Sequence, residues 1–195
     1  MKRFAILIIL LAPLDSWSAR QRMANVDRLS SKAALDGTEF RQKRRVAIGS
    51  SFGGAAGIAG INLDLNLTDQ AALSLLFGVG DPFQSFGFAI KRFVSGTSFL
   101  PYFSAGYVRW THKRAESQAI ETTLPNILGK RFLNSGEKES GQFSEDIIYP
   151  GLGLQYVQLS GPWAGISMYL ELQALVDVDD FQTATTGALG ISYYF

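Results

Sequence analysis

From residue 46 to its last residue, the chain repeatedly alternates large apolar residues with small or polar ones. The clearest example is 61–67, Ile-Asn-Leu-Asp-Leu-Asn-Leu, in which every second residue is aliphatic. Successive side chains of a β-strand point to opposite faces, so this period of two predicts strands with one apolar face. Segments of this kind begin near residues 46, 61, 71, 86, 99, 151, 166 and 183. The pattern therefore predicts eight strands in an all-β chain.

Helical segments that could cover the apolar faces of these strands are not evident in the pattern. A sheet that closes on itself with lipid outside satisfies both the backbone hydrogen bonds and the apolar faces. Eight is the smallest common strand number for a membrane barrel. We therefore predict an eight-stranded antiparallel up-and-down transmembrane β-barrel over residues 46–195.

The N-terminal 45 residues differ from the barrel segments. Residues 1–18 combine Lys2 and Arg3 with a short apolar stretch and then Ser16 and Ser18, two small residues at the spacing of a signal peptidase site. We predict a signal peptide here. In 19–45 basic residues outnumber acidic ones. We interpret this segment as a basic, solvated periplasmic leader, with contact to anionic lipid headgroups or a partner as the alternative.

The lengths of the links between strands predict the orientation of the barrel. Links at 68–70, 95–98 and 160–163 are short, whereas 111–146 is a long polar interruption. Membrane barrels have short periplasmic turns and longer extracellular loops. We therefore place the short links in the periplasm. The segment 111–146 is then an extracellular loop, and its length predicts a functional or flexible loop that could bind an extracellular partner.

The C-terminal segment 187–195 places Leu189, Ile191, Tyr193 and Phe195 on one strand face and ends the chain on an aromatic residue. This ending resembles the C-terminal signature of bacterial outer-membrane barrels, in which a terminal phenylalanine closes the last strand. That resemblance implies that the four residues are an assembly signal read by the outer-membrane assembly machinery.

A second segment carries the same resemblance. Residues 101–106 read Pro-Tyr-Phe-Ser-Ala-Gly, similar to the Pro-Tyr-x-x-x-Gly segment common in small OmpA-like barrels. Together with the strand pattern, residues 46–195 resemble the OmpA-like superfamily of eight-stranded outer-membrane barrels. The resemblance implies a place in the outer membrane of a Gram-negative cell envelope, among outer-membrane lipids and lipopolysaccharide.

The strand pattern also predicts which polar residues point into the lumen. Asp64, Lys91 and Glu171 each lie between apolar neighbours and so share the inward face. The interior of an eight-stranded barrel is just wide enough for side chains, and buried charges must be paired. We therefore predict a lumen ion network of these three residues, with a structural role.

Aromatic and basic residues are expected at the two membrane interfaces. By the predicted topology Phe99, Trp163, Tyr193 and Phe195 lie near the periplasmic rim, and Phe83, Tyr107, Trp110 and Phe181 near the outer rim. Aromatic residues at both levels would form a membrane girdle. Arg109, Lys113 and Arg114 lie at the outer rim, where we expect contact with lipopolysaccharide phosphates.

Composition and motifs point away from other functions. Without residues 1–18 the chain carries equal numbers of basic and acidic residues, so its net charge does not indicate nucleic-acid binding. Glycine pairs such as Gly78 and Gly80 lack the spacing of a nucleotide-binding fingerprint, and we expect no cofactor and no metal. Cysteine is absent from the sequence.

The only histidine, His112, raises the alternative of an enzyme. Lipid A deacylases and palmitoyltransferases are eight-stranded barrels that use a histidine and a serine near the outer leaflet. In the deacylase pattern serine follows histidine by two residues, where this chain has Arg114. We therefore predict an outer-membrane barrel with a structural or surface-interaction role and no catalytic site. The alternatives are a narrow channel or carrier for small molecules and a lipid A-modifying enzyme.

Overall fold

The computed structural model describes residues 36–94, 96–112 and 119–195. The predicted signal peptide, the first part of the predicted leader, Lys113 and Arg114 lie outside these residues. The eight strands are β1 Val46–Gly53, β2 Ala59–Asn66, β3 Ala71–Val79, β4 Gln84–Phe93, β5 Phe99–His112, β6 Phe143–Val157, β7 Ile166–Asp177 and β8 Thr183–Tyr194.

Each strand pairs antiparallel with the next, and β1 pairs with β8, so the sheet is a closed barrel. The predicted fold class, an eight-stranded up-and-down barrel, is confirmed. We call the end at which β1 begins and β8 finishes the terminal end, and the opposite end the loop end. Among the described residues no helix is long and apolar enough to cross a membrane.

The outer wall of the barrel is apolar in its middle part. Outward side chains such as Phe103, Leu170 and Leu172 are 59, 60 and 67% exposed. Their chain neighbours point inward and are small, polar or aromatic. Some inward tyrosines fit because the residue opposite is glycine: a Cβ at Gly106 would lie 2.4 Å from the Tyr149 ring. The alternation seen in the sequence therefore reflects two environments, one on each side of a single sheet.

At the loop end the polarity of β5 and β6 inverts. The inward residues Val108, Trp110 and Ile147 are apolar and fully buried, whereas the outward residues Arg109 and Asp146 are charged. Both strands continue through this region, so the interval between them is 113–142. The loop predicted at 111–146 was therefore too long at both ends, because its first and last residues extend the ladder between β5 and β6.

The described part of this loop, 119–142, is folded. It contains a short π-helix, Leu128–Phe132, and a helix α2, Ser135–Ser140. Asn134 begins α2 with a capping box, in which its side chain and that of Glu137 each accept a backbone N–H. Leu128 and Phe132 are buried in the apolar cluster at the loop end of the barrel.

A further helix, α1 Gly37–Lys43, precedes β1 and covers the terminal end. Phe40 and Arg41 are 4 and 0% exposed. The prediction of a solvated leader up to residue 45 is therefore wrong for this part. The reason is that residues of β2, β4, β6 and β8 supply acceptors and rings for these two side chains.

Candidate functional site in the barrel lumen

The middle of the lumen holds an ion pair between β2 and β4. Lys91 Nζ lies 3.2 Å from Asp64 Oδ1 and 3.4 Å from Asp64 Oδ2. The side chains of Lys91 and Asp64 are 9 and 2% exposed. Asn62 Nδ2 donates a further bond to Asp64 at 3.4 Å, and Lys91 Nζ lies 5.0 Å from the ring centroid of Tyr169. The structure thus brings together two of the three residues of the predicted network.

Glu171, the third residue, is held by neutral donors instead. It accepts bonds from Tyr102 Oη at 2.7 Å, Ser104 Oγ at 2.6 Å and Gln173 Nε2 at 3.0 Å. Among the described residues Lys91 forms its ion pair with Asp64 and not with Glu171. The predicted three-membered ion network is therefore corrected to an ion pair beside a neutral-donor cage for Glu171, because β5 and β7 bring hydroxyl and amide donors to this carboxylate.

Arg41 fills the terminal end of the lumen. Its guanidinium carbon lies 3.5 Å from the ring centroid of Phe93. Its Nη atoms donate to Gln155 Oε1 at 3.1 Å, to Tyr194 Oη at 3.3 Å and, at short range, to Asn66 Oδ1. Arg41 could not be singled out from the sequence, because it stands in a segment with several basic residues and no visible periodicity.

An aromatic plug closes the loop end. The ring of Trp110 stacks on that of Phe83 at a centroid distance of 4.6 Å and meets Phe132 edge-on at 6.1 Å. Trp110 Nε1 donates to Ala55 O at 2.8 Å. Placing Phe83 and Trp110 in the membrane girdle was therefore wrong. Trp110 lies an even number of residues from the inward Tyr102, so the strand alternation turns it into the lumen.

Two buried acidic residues lie beside this plug. Glu145 and Asp177 are 4 and 0% exposed, and Glu145 Oε1 and Asp177 Oδ2 lack a hydrogen-bond partner among the described residues. Asp177 Oδ1 accepts from Asp179 N at 2.8 Å and so begins the turn between β7 and β8. Burial, and after it the nearby carboxyl group of Asp177, raises the pKa of Glu145 to about 9. Glu145 could not be recognised from the sequence, because it fell within the predicted loop.

The outer wall near the loop end carries a charged cluster. Arg109 Nε and Nη2 each lie 2.6 Å from an oxygen of Asp146, and Tyr107 Oη donates to the same carboxylate at 2.6 Å. Phe86 stands directly opposite Arg109 on the neighbouring strand. A shallow external groove of about 620 Å³ runs from Arg109 across β4, β3 and β2, and its apolar lining includes Ile61.

The four residues of the predicted assembly signal lie on the outside of the barrel. Leu189, Ile191, Tyr193 and Phe195 are 46 to 59% exposed on the outward face of β8, and Phe195 N donates to Val46 O at 3.0 Å. His112 ends β5, where its ring lies 6.1 Å from that of Phe143.

No protein-family model and no curated protein matches the sequence. A solved structure does match: the N-terminal β-barrel domain of Pseudomonas aeruginosa OprF, with a TM-score of 0.54 and 17% sequence identity. The match covers 78% of this chain and 98% of the OprF chain. The chain has the fold of an OmpA-like eight-stranded barrel. The resemblance predicted from the strand pattern and the terminal segment is confirmed at the level of the fold.

Proposed function

We propose that the protein is an outer-membrane β-barrel with a closed lumen and a structural or surface-interaction role. The terminal end would face the periplasm and the loop end the cell exterior. Three features support this: the apolar outer wall, the closed sheet without an edge strand, and the OprF-like fold. A charged pair such as Arg109–Asp146 on the outer wall suits the headgroup level rather than the hydrocarbon.

The observation that carries the proposal is the obstruction of the lumen at both ends. The terminal end holds Arg41 and Phe40, and the loop end holds Trp110 and Phe132, all nearly or fully buried. Between them lies a cavity of about 30 Å³. That volume has room for only a few water molecules, too little for a substrate. The channel and lumen-enzyme alternatives therefore receive no support from the geometry.

Planar-bilayer recording tests the closed lumen. The folded protein should give no unitary conductance steps over several hours at physiological salt. Heat-modifiability and protease protection of the same protein in lipid vesicles verify that it is folded and inserted. Regular steps from the unchanged protein would contradict the proposal. Lipid A extracted from expressing cells should also keep its mass, and a deacylated or acylated product would instead identify an enzyme.

The loop 119–142 offers the surface for an extracellular partner. Its buried Leu128 and Phe132 hold it against the barrel, while Leu124 is 54% exposed and Lys130 and Arg131 also point to solvent. A photo-crosslinking residue at position 130 should capture the partner on intact cells. The same residue at position 158, at the terminal end, should not capture it.

Lipopolysaccharide is the lipid that we propose for the groove at Arg109. The exposed half of the guanidinium side chain would meet a phosphate, and the apolar lining would meet an acyl chain. Arg109→Gln combined with Asp146→Asn keeps the local charge unchanged and should lower the lipopolysaccharide retained after purification several-fold. Ile61→Ser changes only the acyl-chain side and should have a smaller effect. Unchanged retention in the double variant would contradict this contact.

A further inference from the structure

Arg41 connects four strands that alternate around the barrel. Its acceptors and ring partner come from β2, β4, β6 and β8, listed here as Asn66, Phe93, Gln155 and Tyr194. The four side chains leave a space in which one face of the planar guanidinium lies on an aromatic ring and its edges meet oxygen atoms. Guanidinium groups, unlike ammonium groups, combine stacking with several in-plane donors.

Two of the four partners of Arg41 are also held by bonds that do not involve Arg41. Gln155 Nε2 also donates to Ser167 Oγ at 2.6 Å and to Tyr194 Oη at 3.1 Å, and Asn66 Nδ2 donates to Arg44 O at 2.8 Å. These bonds orient Gln155 and Asn66 so that their carbonyl oxygens turn toward the guanidinium. Nε of Arg41 has no hydrogen-bond partner among the described residues, so the recognition rests on the two Nη atoms and the stacked face.

The rest of α1 attaches to the seam at which the barrel closes. Phe40 packs edge-on against Tyr194 at 6.1 Å, and Arg44 Nη1 donates to the backbone oxygens of Tyr194 at 2.8 Å and Ala164 at 2.9 Å. Tyr194 is the last residue of β8, which pairs with β1 directly after α1. The docked position of α1 therefore depends on the closing strand β8.

We propose that Gly37–Lys43 is a plug, and that its Arg41 occupies a guanidinium-binding site built by the barrel at the terminal end of the lumen. The plug seals the lumen below the Asp64–Lys91 pair and ties the closing strand to the segment that precedes the first strand. When Arg41 is replaced by alanine, the vacated site binds a free guanidinium ion in its place. This inference does not depend on the proposed cellular role of the protein.

A cysteine reporter tests the plug. The sequence has no cysteine, so Ala72→Cys introduces a single thiol. Ala72 is 1% exposed and lies in the apolar cluster that contains Phe40. With refolded protein in detergent, a small charged methanethiosulfonate reagent should modify this thiol slowly. Adding Arg41→Ala should raise the rate at least tenfold. Lys43→Ala, which changes an exposed basic residue of the same helix, should leave the rate unchanged.

Chemical rescue tests the guanidinium site itself. Millimolar guanidinium chloride should slow the modification in the Arg41→Ala protein back toward the parent rate, whereas sodium chloride at equal ionic strength should not. Heat-modifiability on gels verifies folding. If Arg41→Ala fails to fold, Arg41→Lys replaces it, and the modification rate should then rise at least threefold. Fast modification in the parent protein, or a parent-like rate in the variant, would contradict the proposed plug. If guanidinium chloride and sodium chloride slow the modification equally, the proposed guanidinium site is contradicted.

Discussion

Lys91→Met removes the positive charge that faces Asp64 in the lumen while keeping a side chain of similar length. Breaking a buried ion pair by removing one partner typically costs about 3–5 kcal/mol, because the remaining charge is left buried. Here the carboxylate of Asp64 would keep one weak donor, Asn62 Nδ2 at 3.4 Å. Glu171 would keep all three of its donors. One carboxylate is therefore stranded, and we expect a loss of about 3 kcal/mol, the lower end of the range.

Urea unfolding in lipid vesicles, followed by tryptophan fluorescence, measures this loss as a change in the free energy of unfolding. Ile90→Ala is the matched control, because Ile90 is the chain neighbour of Lys91 and is 49% exposed on the outer wall. We expect it to cost about 1 kcal/mol, less than a fully buried isoleucine. Asp64→Leu added to Lys91→Met removes the stranded charge and should restore most of the stability. A Lys91→Met loss no larger than that of Ile90→Ala, or no recovery in the double variant, would refute the reasoning.

Three further predictions follow from the barrel geometry. Gly106→Ala puts a carbon 2.4 Å from the Tyr149 ring and should cost about 1–3 kcal/mol in the same unfolding assay, whereas Gly187→Ala, whose nearest atom would be 3.8 Å away, should cost less than half as much. Deleting Phe195 should lower the heat-modifiable fraction in the outer membrane, because it removes the proposed assembly signal; full assembly would argue against that signal. Protease added to intact cells should cut within 119–142 and leave the turn after β6 intact, and the reverse pattern would invert the proposed orientation.

Much of the fold could be predicted because a closed barrel gives every strand two contrasting environments. Asp64, for example, lies between Leu63 and Leu65. Because successive side chains of a strand point to opposite faces, either Asp64 or the two leucines face outward. The same reasoning places Lys91 in the lumen beside Ile90 on the wall. The stagger between neighbouring strands decides which inward charges contact one another. The alternation within one strand carries no information about that stagger. For this reason Glu171 was predicted to join an ion network, although two hydroxyl groups and one amide donate to it.

The covers at the two ends of the barrel could not be predicted from alternation. Arg41 stands among several basic residues, and its burial depends on Gln155 and Tyr194, which lie more than a hundred residues later in the chain. Leu128 and Phe132 are apolar residues in a polar loop. Their spacing of four residues is a weak helical signal and does not match the period of two that predicts strands. Both covers are contacts between distant parts of the chain, so local pattern carries little information about them.

The ends of β5 and β6 were predicted wrongly for a different physical reason, which also indicates where the outer edge of the proposed membrane lies. Below Tyr107 the outward side chains of β5 are mainly apolar, as lipid requires. At Arg109 and Asp146, paired across the two strands, the outward face becomes charged while Trp110 and Ile147 turn apolar side chains inward. Beyond this level the inward side chains form a packed apolar core that also encloses Glu145, and this is closer to the pattern of a soluble barrel. The alternation with apolar residues outward ends where the pattern inverts, although the hydrogen-bonded strands continue beyond that point. The Arg109–Asp146 pair therefore marks the level at which the proposed membrane ends and the exposed, plugged part of the barrel begins.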